Sequence, residues 1–262
     1  MPYANAPDGA RIYYEVAGSG EPLLLISGQG GDHHGWDAVR ADFAGRYRTL
    51  SFDHRGTGDS DKPDFPYTTR RFALDAVAVL DAAGVSRAHA YGVSMGGRVG
   101  QWLAVDHPDR VGALVLGCTT PGDAHGIART AAANAVFRAD WTAENALDKA
   151  LQSYTRAWIE AHPELLAEPE QDPLPEFARQ LHYVASQSHD ASTELPSIAA
   201  PTLVIHGSDD PINPTANAPL LAERIPGAEL HLIADGRHNY TEEFRTEASK
   251  VVLDFLARHP LS

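Results

Sequence analysis

Short apolar runs alternate with amphipathic segments along most of the chain. Several of these runs have no polar face, which is typical of central strands that are covered on both sides. The predicted strands are residues 11–16, 22–26, 49–52, 88–93, 112–117, 202–206 and 229–233. Between them, apolar residues recur at helical spacing, as in Phe72, Ala76, Leu80 and Ala83, and again in Phe244, Ala248, Val251, Val252 and Phe255. Strand followed by helix, repeated in this way, predicts a mostly parallel, doubly wound α/β sheet.

The alternation stops between residues 119 and 196. There, alanine-rich and aromatic segments alternate with acidic, proline-bearing stretches such as HPELLAEPEQDPLPEF. This composition predicts a helical lid over 119–196, inserted into a core domain that is formed by 1–118 and 197–262. The aromatic side chains of the lid either form its own core or line a pocket, and the sequence leaves both open. They are Phe137, Trp141, Tyr154, Trp158, Phe177 and Tyr183.

Composition narrows the class of protein. The chain has 262 residues, of which 43% are hydrophobic and 21% are charged, so it is long and apolar enough for a globular core. A formal net charge of -14, without a cluster of Lys and Arg, argues against binding to nucleic acid or to anionic membranes. Because the N-terminus does not resemble a signal peptide and no apolar run reaches ~18 residues, the expected compartment is the cytoplasm.

One serine lies where a predicted strand passes into a predicted helix. Residues 90–97 read AYGVSMGG, so Ser94 follows the strand 88–93 and precedes a helix that is predicted over 95–106. In this context the spacing Gly92-x-Ser94-x-Gly96 is that of a nucleophile elbow, a sharp turn in which side chains at the flanking positions would clash. The turn presents the serine hydroxyl above the sheet, beside the positive end of a helix. The alternative is a serine that only caps the helix.

A serine nucleophile needs a base and an acid, and after such an elbow the acid precedes the base in the chain. The predicted strand 202–206 runs into Asp209 and Asp210, at the sheet edge where the sites of open α/β sheets lie. We choose Asp210, with Asp209 as its competitor, because adjacent turn residues point in directions that the sequence does not reveal. After the next strand, His238 opens the last helix and is the candidate base. Three other histidines have positions that favour structural or exposed roles: His206, His231 and His259.

Acyl transfer also needs hydrogen-bond donors for the developing oxyanion. Backbone N–H groups come from the residue after the nucleophile, Met95, and from the loop after an early strand, where Gln29 lies in SGQGG. The glycines of this loop let its N–H groups turn inward. A phosphate-binding loop is the alternative, but neither of the glycine-rich phosphate patterns is present.

No cofactor and no metal are expected. His33 and His34 are adjacent, adjacent residues seldom chelate one ion, and no third ligand has suitable spacing. The one cysteine, Cys118, lies in an apolar stretch, so it is predicted to be a small buried core residue and not a thiol nucleophile.

Five segments in order give the chain a resemblance to the α/β-hydrolase superfamily that covers nearly all of it outside the lid. They are LLLISGQGG, FDHRGTGDSDKP, YGVSMGG, LVIHGSDDPINP and GRHNY. The segments LVLGCTTPG and GRHNYTEEF resemble those of the 3-oxoadipate enol-lactonase and polyketide methylesterase group. The resemblance implies the α/β-hydrolase fold, with Ser94 as nucleophile, His238 as general base and then acid, and Asp210 as orienting acid. It also implies that the N–H groups of Gln29 and Met95 form the oxyanion hole.

The resemblance further implies that Asp53, His54 and Arg55 brace the site. Two departures from the family pattern stand beside the candidate residues. Ser27 precedes Gly28 where family members commonly carry a histidine, and Arg237 precedes His238 where they commonly carry a glycine. These departures leave the choice of substrate open.

The expected activity is hydrolysis of a carboxylic ester or lactone of a small to medium organic substrate through an acyl-enzyme. Fold and triad do not choose the substrate, so thioester cleavage, carbon–carbon bond hydrolysis and cofactor-free peroxidation are alternatives. A small-molecule binding protein on the same scaffold is the alternative from another class. The lid arginines Arg129, Arg138 and Arg156 either hold a substrate carboxylate or lie on the solvated surface. The expected partner is the small molecule alone, without nucleic acid or membrane, and a homo-oligomer is left open.

Overall fold

An eight-stranded sheet forms the centre of the computed structural model, which describes residues 2–122, 124–167 and 174–261. The strands are β1 (Tyr3–Asn5), β2 (Arg11–Ala17), β3 (Glu21–Ile26), β4 (Tyr47–Phe52), β5 (Ala88–Val93), β6 (Val111–Gly117), β7 (Thr202–Gly207) and β8 (Glu229–Ile233). They lie in the order β1-β2-β4-β3-β5-β6-β7-β8. The pairs β1/β2 and β2/β4 are antiparallel, and every other pair is parallel. The predicted mostly parallel α/β sheet is confirmed, and β1 is a short edge strand that the apolar pattern did not reveal.

Helices connect the strands. They are α1 (Asp37–Ala44), α2 (Thr69–Ala82), α3 (Met95–Asp106), α4 (Ala131–Arg138), α5 (Ala146–Ser153), α6 (Arg156–Ala161), α7 (Glu176–Gln187), α8 (Asn217–Arg224), α9 (Tyr240–Glu243) and α10 (Arg245–Ala257). Thr68 caps α2 by accepting a hydrogen bond from the Arg71 N–H at 3.0 Å. The helix α3 ends before His107, because the following Pro108 disfavours helical backbone at that residue. Among the described residues, no helix combines the length and apolarity that crossing a bilayer requires.

Successive residues of a central strand enter two different apolar cores. In β3, Leu24 and Ile26 pack with residues of α2, α3 and α8, whereas Leu23 and Leu25 pack with residues of α1 and α10. All four side chains are fully buried. Burial of one leucine side chain stabilises the fold by about 2 kcal/mol, so both faces of the sheet contribute. The absence of a polar face in these runs is explained by this double coverage.

The helices α4 to α7 lie between β6 and β7, and we call residues 119–196 the lid. Residues 123 and 168–173 of this segment lie outside the described residues. The lid has a small apolar core of its own, formed by Ala150, Tyr154 and Ile159. Its last part differs, because Ala185 of α7 and Leu195 belong to the core beside the sheet. The helix α7 therefore joins the lid to the sheet, while the division of the chain at 118/119 and 196/197 stays a prediction.

Candidate active site

Ser94 lies in the tight turn between β5 and α3. Its backbone has φ 55° and ψ -119°, a combination that residues other than glycine rarely adopt. The Ser94 N–H donates to Gly117 O at 2.8 Å, and Ser94 O accepts from the Gly97 N–H at 3.1 Å and from the Thr119 hydroxyl at 2.7 Å. The uncommon conformation is therefore held from two sides, by the end of β6 and by the first turn of α3.

Two glycines leave the space that this turn requires. A Cβ atom at Gly92 would lie 2.1 Å from Gly96 O, and a Cβ atom at Gly96 would lie 2.1 Å from Ile26 O. Both distances are far inside van der Waals contact with backbone atoms, which cannot rotate away. The glycines of the G-x-S-x-G pattern are thus explained by the close approach of α3 to β5 and β3.

Asp210 follows β7, and its side chain is completely buried. Its Oδ1 accepts from the Ile212 N–H at 2.8 Å and from the Asn213 N–H at 3.0 Å. Its Oδ2 lies 2.8 Å from His238 Nδ1 and 3.2 Å from His206 Nε2. Burial alone would raise the pKa of this carboxyl, but the charge of His238 and hydrogen bonds from His206 and His238 hold the pKa well below its usual range. Asp210 is therefore an ionised acceptor at neutral pH.

Of the two adjacent aspartates, only Asp210 reaches the histidine, and Asp209 is exposed to solvent. Because the Asp210 carboxylate can only accept, the His238 ring carries a proton on Nδ1. In the neutral ring, Nε2 is then the acceptor, which is the tautomer that a base for Ser94 requires. The His238 side chain is 11% exposed, in the loop between β8 and α9.

Ser94 and His238 line the same cavity, whose volume is about 380 Å³. Between these two described residues there is no hydrogen bond, and the Ser94 hydroxyl oxygen instead lies 3.5 Å from Asn213 Nδ2. Catalytic hydrogen bonds of this kind often tighten only when the substrate binds. The structure therefore brings Ser94, His238 and Asp210 to one edge of the sheet, with the contact between Ser94 and His238 still open.

The two predicted oxyanion donors lie close to the nucleophile. Met95 is the first residue of α3, and Gln29 lies in the wall of the cavity. A Cβ atom at Gly28 would lie 3.4 Å from Ser94 Cβ, so the loop after β3 passes within contact distance of the nucleophile. In the part of the chain that the structure describes, neither the Gln29 N–H nor the Met95 N–H donates to another group. Both remain available to an oxyanion, and that role stays a prediction.

Two buried histidines hold the loop that carries Gln29. His54 Nε2 donates to Ser27 O at 2.9 Å, and the Gly30 N–H donates to His182 Nδ1 at 3.2 Å. Burial lowers the pKa of His54 to about 3 and that of His182 to about 4, so both rings are neutral at neutral pH. The neutral His182 ring uses both nitrogens, because its Nε2 donates to Arg55 O at 2.8 Å. Sequence reasoning missed His182, since nothing in α7 indicates a partner in a loop more than a hundred residues away.

The loop after β4 provides the bracing that the resemblance implied. Asp53 Oδ1 accepts from the His33 N–H at 2.8 Å and from His33 Nδ1 at 2.6 Å. Arg55 forms a buried ion pair with Asp75 at 2.6 Å and a second ion pair with the more exposed Asp8 at 2.8 Å. These contacts fasten the segment after β3 and the first residues of the chain to the rest of the sheet.

One described cluster has metal-ligand chemistry, namely Asp32, His33 and Asp53, whose ligand atoms lie within 4.8 Å of one another. These atoms are engaged in hydrogen bonds. His33 Nδ1 faces Asp53 Oδ1, Asp53 Oδ2 accepts from the Asp59 N–H at 2.7 Å, and Asp32 Oδ1 accepts from the His34 N–H at 2.9 Å. The hydrogen bonds of these three residues therefore belong to the contacts that hold the loops after β3 and β4 together.

Cys118 lies at the end of β6 and is buried beside the cavity. Burial raises the pKa of its thiol well above the usual range, so the thiolate does not form at neutral pH. The structure thus places Cys118 as the buried residue that the sequence predicted.

Sequence reasoning also missed Asn213. Its Nδ2 donates to Cys118 O at 2.6 Å and lies 3.5 Å from Ser94 Oγ, while its Oδ1 accepts from Arg98 Nη2 at 3.1 Å. His206 Nε2 donates to Asn213 O at 2.8 Å, which agrees with the structural role predicted for that histidine. Asn213 therefore connects the acid loop to the nucleophile. The only signal in the sequence was its position in the turn that Asp210 begins.

The lid arginines occupy three different environments. Arg129 lines the cavity, donates from Nε to Ile212 O at 2.9 Å and lies 3.9 Å from the centre of the Phe137 ring. Arg138 lies 5.2 Å from the centre of the Tyr183 ring, in the wall of a second cavity. Arg156 is exposed at the start of α6.

The second, outer cavity lies under the lid and has a volume of about 520 Å³. Gln29 and Phe137 line both cavities, so the outer cavity adjoins the one at Ser94. Trp141 and Tyr183 line the outer cavity, whereas Tyr154 and Trp158 pack in the core of the lid. Some of the lid aromatics therefore line a pocket, and others form the core of the lid itself.

Comparisons with known proteins agree with this fold. The family model of the alpha/beta hydrolase fold matches residues 21–243. A relative from Azorhizobium caulinodans, provisionally named carbamate hydrolase RutD, is 31% identical over 97% of this chain and 98% of its own. Est816, an enzyme that degrades N-acyl homoserine lactones, is 30% identical with a TM-score of 0.81, covering 97% of this chain and 100% of its own. The enol-lactonase from Burkholderia xenovorans LB400 is 27% identical with a TM-score of 0.82, covering 98% and 100%.

Proposed function

Because the chain belongs to the alpha/beta hydrolase fold family, we propose that it is a serine hydrolase that cleaves a carboxylic ester or lactone. Ser94 is the nucleophile, His238 is the general base and then acid, and Asp210 orients the imidazole. The substrate is a small to medium organic molecule, and the reaction passes through an acyl-enzyme. Similarity to two lactone-cleaving enzymes over nearly the whole chain supports this choice of bond.

One observation carries the proposal: the buried Asp210 carboxylate lies 2.8 Å from Nδ1 of His238, and His238 lines the same cavity as Ser94, whose φ is 55°. Burying a charged carboxylate costs several kcal/mol unless partners compensate. A protein that only binds a small molecule gains nothing from fixing a histidine tautomer beside an uncommon serine conformation. The arrangement therefore favours an enzyme over a binding protein on the same scaffold.

The proposed cycle begins when His238 Nε2 takes the proton of the Ser94 hydroxyl as Oγ attacks the substrate carbonyl. The carbonyl oxygen becomes an oxyanion and accepts hydrogen bonds from the N–H groups of Gln29 and Met95. His238 then gives its proton to the leaving oxygen, and the acyl group remains on Ser94. Water, activated by the same His238, releases the acid. In a lactone, both products are parts of one opened molecule.

A covalent probe tests the proposal directly. We expect a fluorophosphonate to label the wild-type protein at Ser94, located by peptide mass spectrometry, and p-nitrophenyl acetate to give a burst of nitrophenol followed by turnover. Ser94→Ala is expected to abolish labelling and to lower turnover by several orders of magnitude. Ser86→Ala is a matched control, because that serine is exposed in the loop before β5 and lines neither cavity. Absence of both labelling and a burst in the wild-type protein would favour the binding protein.

A second candidate is carbamate hydrolysis, which the name of the Azorhizobium caulinodans relative favours. The same three residues can attack a carbamate carbonyl, whose nitrogen makes it less electrophilic than an ester carbonyl. Matched ester, lactone and carbamate substrates of equal size separate the two candidates. We expect kcat/KM to be highest for the ester or the lactone, and a higher value for the carbamate would replace the first candidate by the second.

A further inference from the structure

Both chain neighbours of His238 are bonded to the lid. Arg237 Nη1 donates to Leu151 O, and the Asn239 N–H donates to Ser153 O at 2.9 Å. Leu151 and Ser153 form the last turn of α5. The backbone that carries His238 is therefore anchored on either side of the imidazole, and both anchors lie in the lid.

The bonding continues from these anchors into α9. Asn239 Nδ2 donates to Tyr154 Oη at 2.9 Å, and Tyr154 Oη donates to Glu242 Oε2 at 2.5 Å. Burial, together with the hydrogen bond to Glu242, raises the pKa of Tyr154, so the hydroxyl stays protonated and can donate. The Thr155 N–H donates to Glu243 Oε2 at 2.9 Å, and the Thr155 hydroxyl donates to Glu243 Oε1. We call this bonded pair of segments, 151–155 and 237–243, the clasp.

We propose that the clasp sets the position of His238 for proton transfer, which makes Arg237, Asn239 and Tyr154 positioning residues of the active site. Asp210 holds Nδ1 of the ring, but the side chain can still move with its loop. The hydrogen bond between Ser94 and His238 is not formed in the structure, so the position of the loop decides whether Nε2 reaches the hydroxyl. This inference rests on the proposed role of His238 as the base.

The clasp also has a face on the cavity. Ser153, Asn239 and Glu242 line the same space as Ser94, and so does Phe137 of the lid. A substrate that contacts the lid therefore touches the segment that anchors the base. Substrate binding is coupled in this way to the position of His238, and no additional moving segment is needed.

One contact of the clasp depends on Arg237, the arginine that departs from the family pattern. Family members commonly carry glycine before the base, and glycine has no side chain that could reach Leu151 O. The arginine is half-buried and spans the gap between the two segments. The departure noted in the sequence is therefore part of the clasp.

Kinetics and amide hydrogen exchange of wild-type protein and variants test the clasp. Arg237→Ala and Tyr154→Phe each remove side-chain hydrogen bonds of the clasp, and Arg237→Lys keeps a donor. The controls are Arg156→Ala, an exposed lid arginine, and Tyr3→Phe, a tyrosine of the edge strand β1 that lines neither cavity. The substrate is p-nitrophenyl acetate, which is too small to need the outer cavity.

We expect Arg237→Ala and Tyr154→Phe to lower kcat by about tenfold, with KM within about twofold, because misplacing a catalytic group affects the transition state and not ground-state binding. Arg237→Lys should recover most of the loss, and both controls should match the wild type. Amides of residues 236–244 should exchange about tenfold faster in the two clasp variants, while residues 88–106 exchange as in the wild type.

Each contrary result has a distinct meaning. Unchanged kcat in both clasp variants overturns the inference, whether or not exchange becomes faster, and so does a rise in KM at constant kcat. Equal losses in Arg237→Ala and Arg237→Lys would also overturn it. Failure of the wild-type protein to cleave any ester or to be labelled at Ser94 would instead overturn the proposed function, and the catalytic role of the clasp with it.

Discussion

The two sides of the active site are held by different means. On the nucleophile side, backbone atoms of β3, β5 and α3 approach so closely that neither Gly92 nor Gly96 has room for a Cβ atom. On the base side, hydrogen bonds hold His238: its Nδ1 donates to Asp210, and its chain neighbours Arg237 and Asn239 donate to the lid through the clasp. Close packing of backbone permits one arrangement, whereas hydrogen bonds worth about 1 kcal/mol each can be exchanged for water.

The position of the nucleophile is therefore fixed by one part of the chain, and the position of the base can be adjusted by another. The elbow is part of the closely packed core. We therefore expect its geometry to be the same whichever substrate binds. The base is connected to the lid, whose residues Arg129 and Phe137 line the cavity at Ser94. We expect the two sides to respond differently to mutation and to pH, and the largest effects are expected first.

The largest effect is expected at the buried acid. Asp210→Asn should lower kcat by about 10⁴-fold, because an amide no longer enforces the Nδ1–H tautomer of His238 or stabilises the imidazolium. The matched control is Asp209→Asn at the exposed neighbour, which should change kcat by less than about twofold. Steady-state kinetics with p-nitrophenyl acetate provides the measurement, and equal losses in the two variants would contradict the choice of acid.

On the nucleophile side, Gly96→Ala should destabilise the fold itself. The new methyl carbon would lie 2.1 Å from Ile26 O and 2.6 Å from Ser27 O, so the strand or the helix must move. We expect the free energy of unfolding in urea to fall by more than about 3 kcal/mol. Gly45→Ala is the control, since its Cβ would meet nothing within 4 Å and its φ of -70° suits alanine. A stable, folded Gly96→Ala protein would show that the elbow is less constrained than its contacts indicate.

Mild acid should lower the stability of the fold through His182, which holds the loop that carries Gln29. Burial lowers the pKa of His182 from 6.5 to about 4, so between these values the unfolded chain binds a proton that the folded chain does not. The free energy of unfolding therefore falls as the pH falls, and this histidine should contribute about 1 kcal/mol of loss between pH 7.5 and pH 5.5. Over the same range Asp210 keeps its charge, because its pKa is lowered.

Urea unfolding at the two pH values measures this contribution. His182→Gln can keep both hydrogen bonds and does not titrate, so its pH-dependent loss should be smaller than that of the wild type by about 1 kcal/mol. His125→Gln, at an exposed position, should keep the wild-type dependence. The same dependence in all three proteins would place the acid-sensitive group elsewhere.

The smallest effect is expected at the boundary between the cavities. Phe137 lines both, so Phe137→Ala should widen the passage to the outer cavity and raise kcat/KM for a bulky aryl ester, relative to p-nitrophenyl acetate, by about threefold to tenfold. Phe177→Ala removes an exposed lid aromatic that lines neither cavity and should leave the ratio unchanged. A ratio that does not move in either variant would mean that the outer cavity receives no part of the substrate.

Local patterns in the sequence predicted most of the fold. The apolar runs marked the central strands because both faces of those strands are buried, and the stripe of residues in α10 marked the face that packs on the sheet. They did not reveal β1, whose three residues form an edge strand and need no apolar run. Proline, glycine and alternating polarity can be recognised within a short stretch of sequence. The pairing of an edge strand cannot, because it depends on a neighbouring strand.

The site was predictable to the extent that strand ends determine it. Ser94, Asp210 and His238 each follow a strand of one parallel sheet, so their convergence could be expected before any coordinates. Asn213 and His182 could not be, because their roles depend on contacts with Ser94 and Gly30 across long stretches of chain. The same holds for the clasp, in which α5 of the lid meets the loop before α9.

The glycine packing around the elbow has a practical consequence for laboratory evolution of this protein. Any substitution at Gly92, Gly96 or Gly97 places a Cβ atom less than 3 Å from backbone or from the Thr119 side chain, so we expect a library randomised there to yield mostly destabilised variants. Positions 137, 141 and 183 carry side chains that face open space under the lid. We expect variation at these three positions to change the range of accepted substrates without altering the proposed catalytic residues.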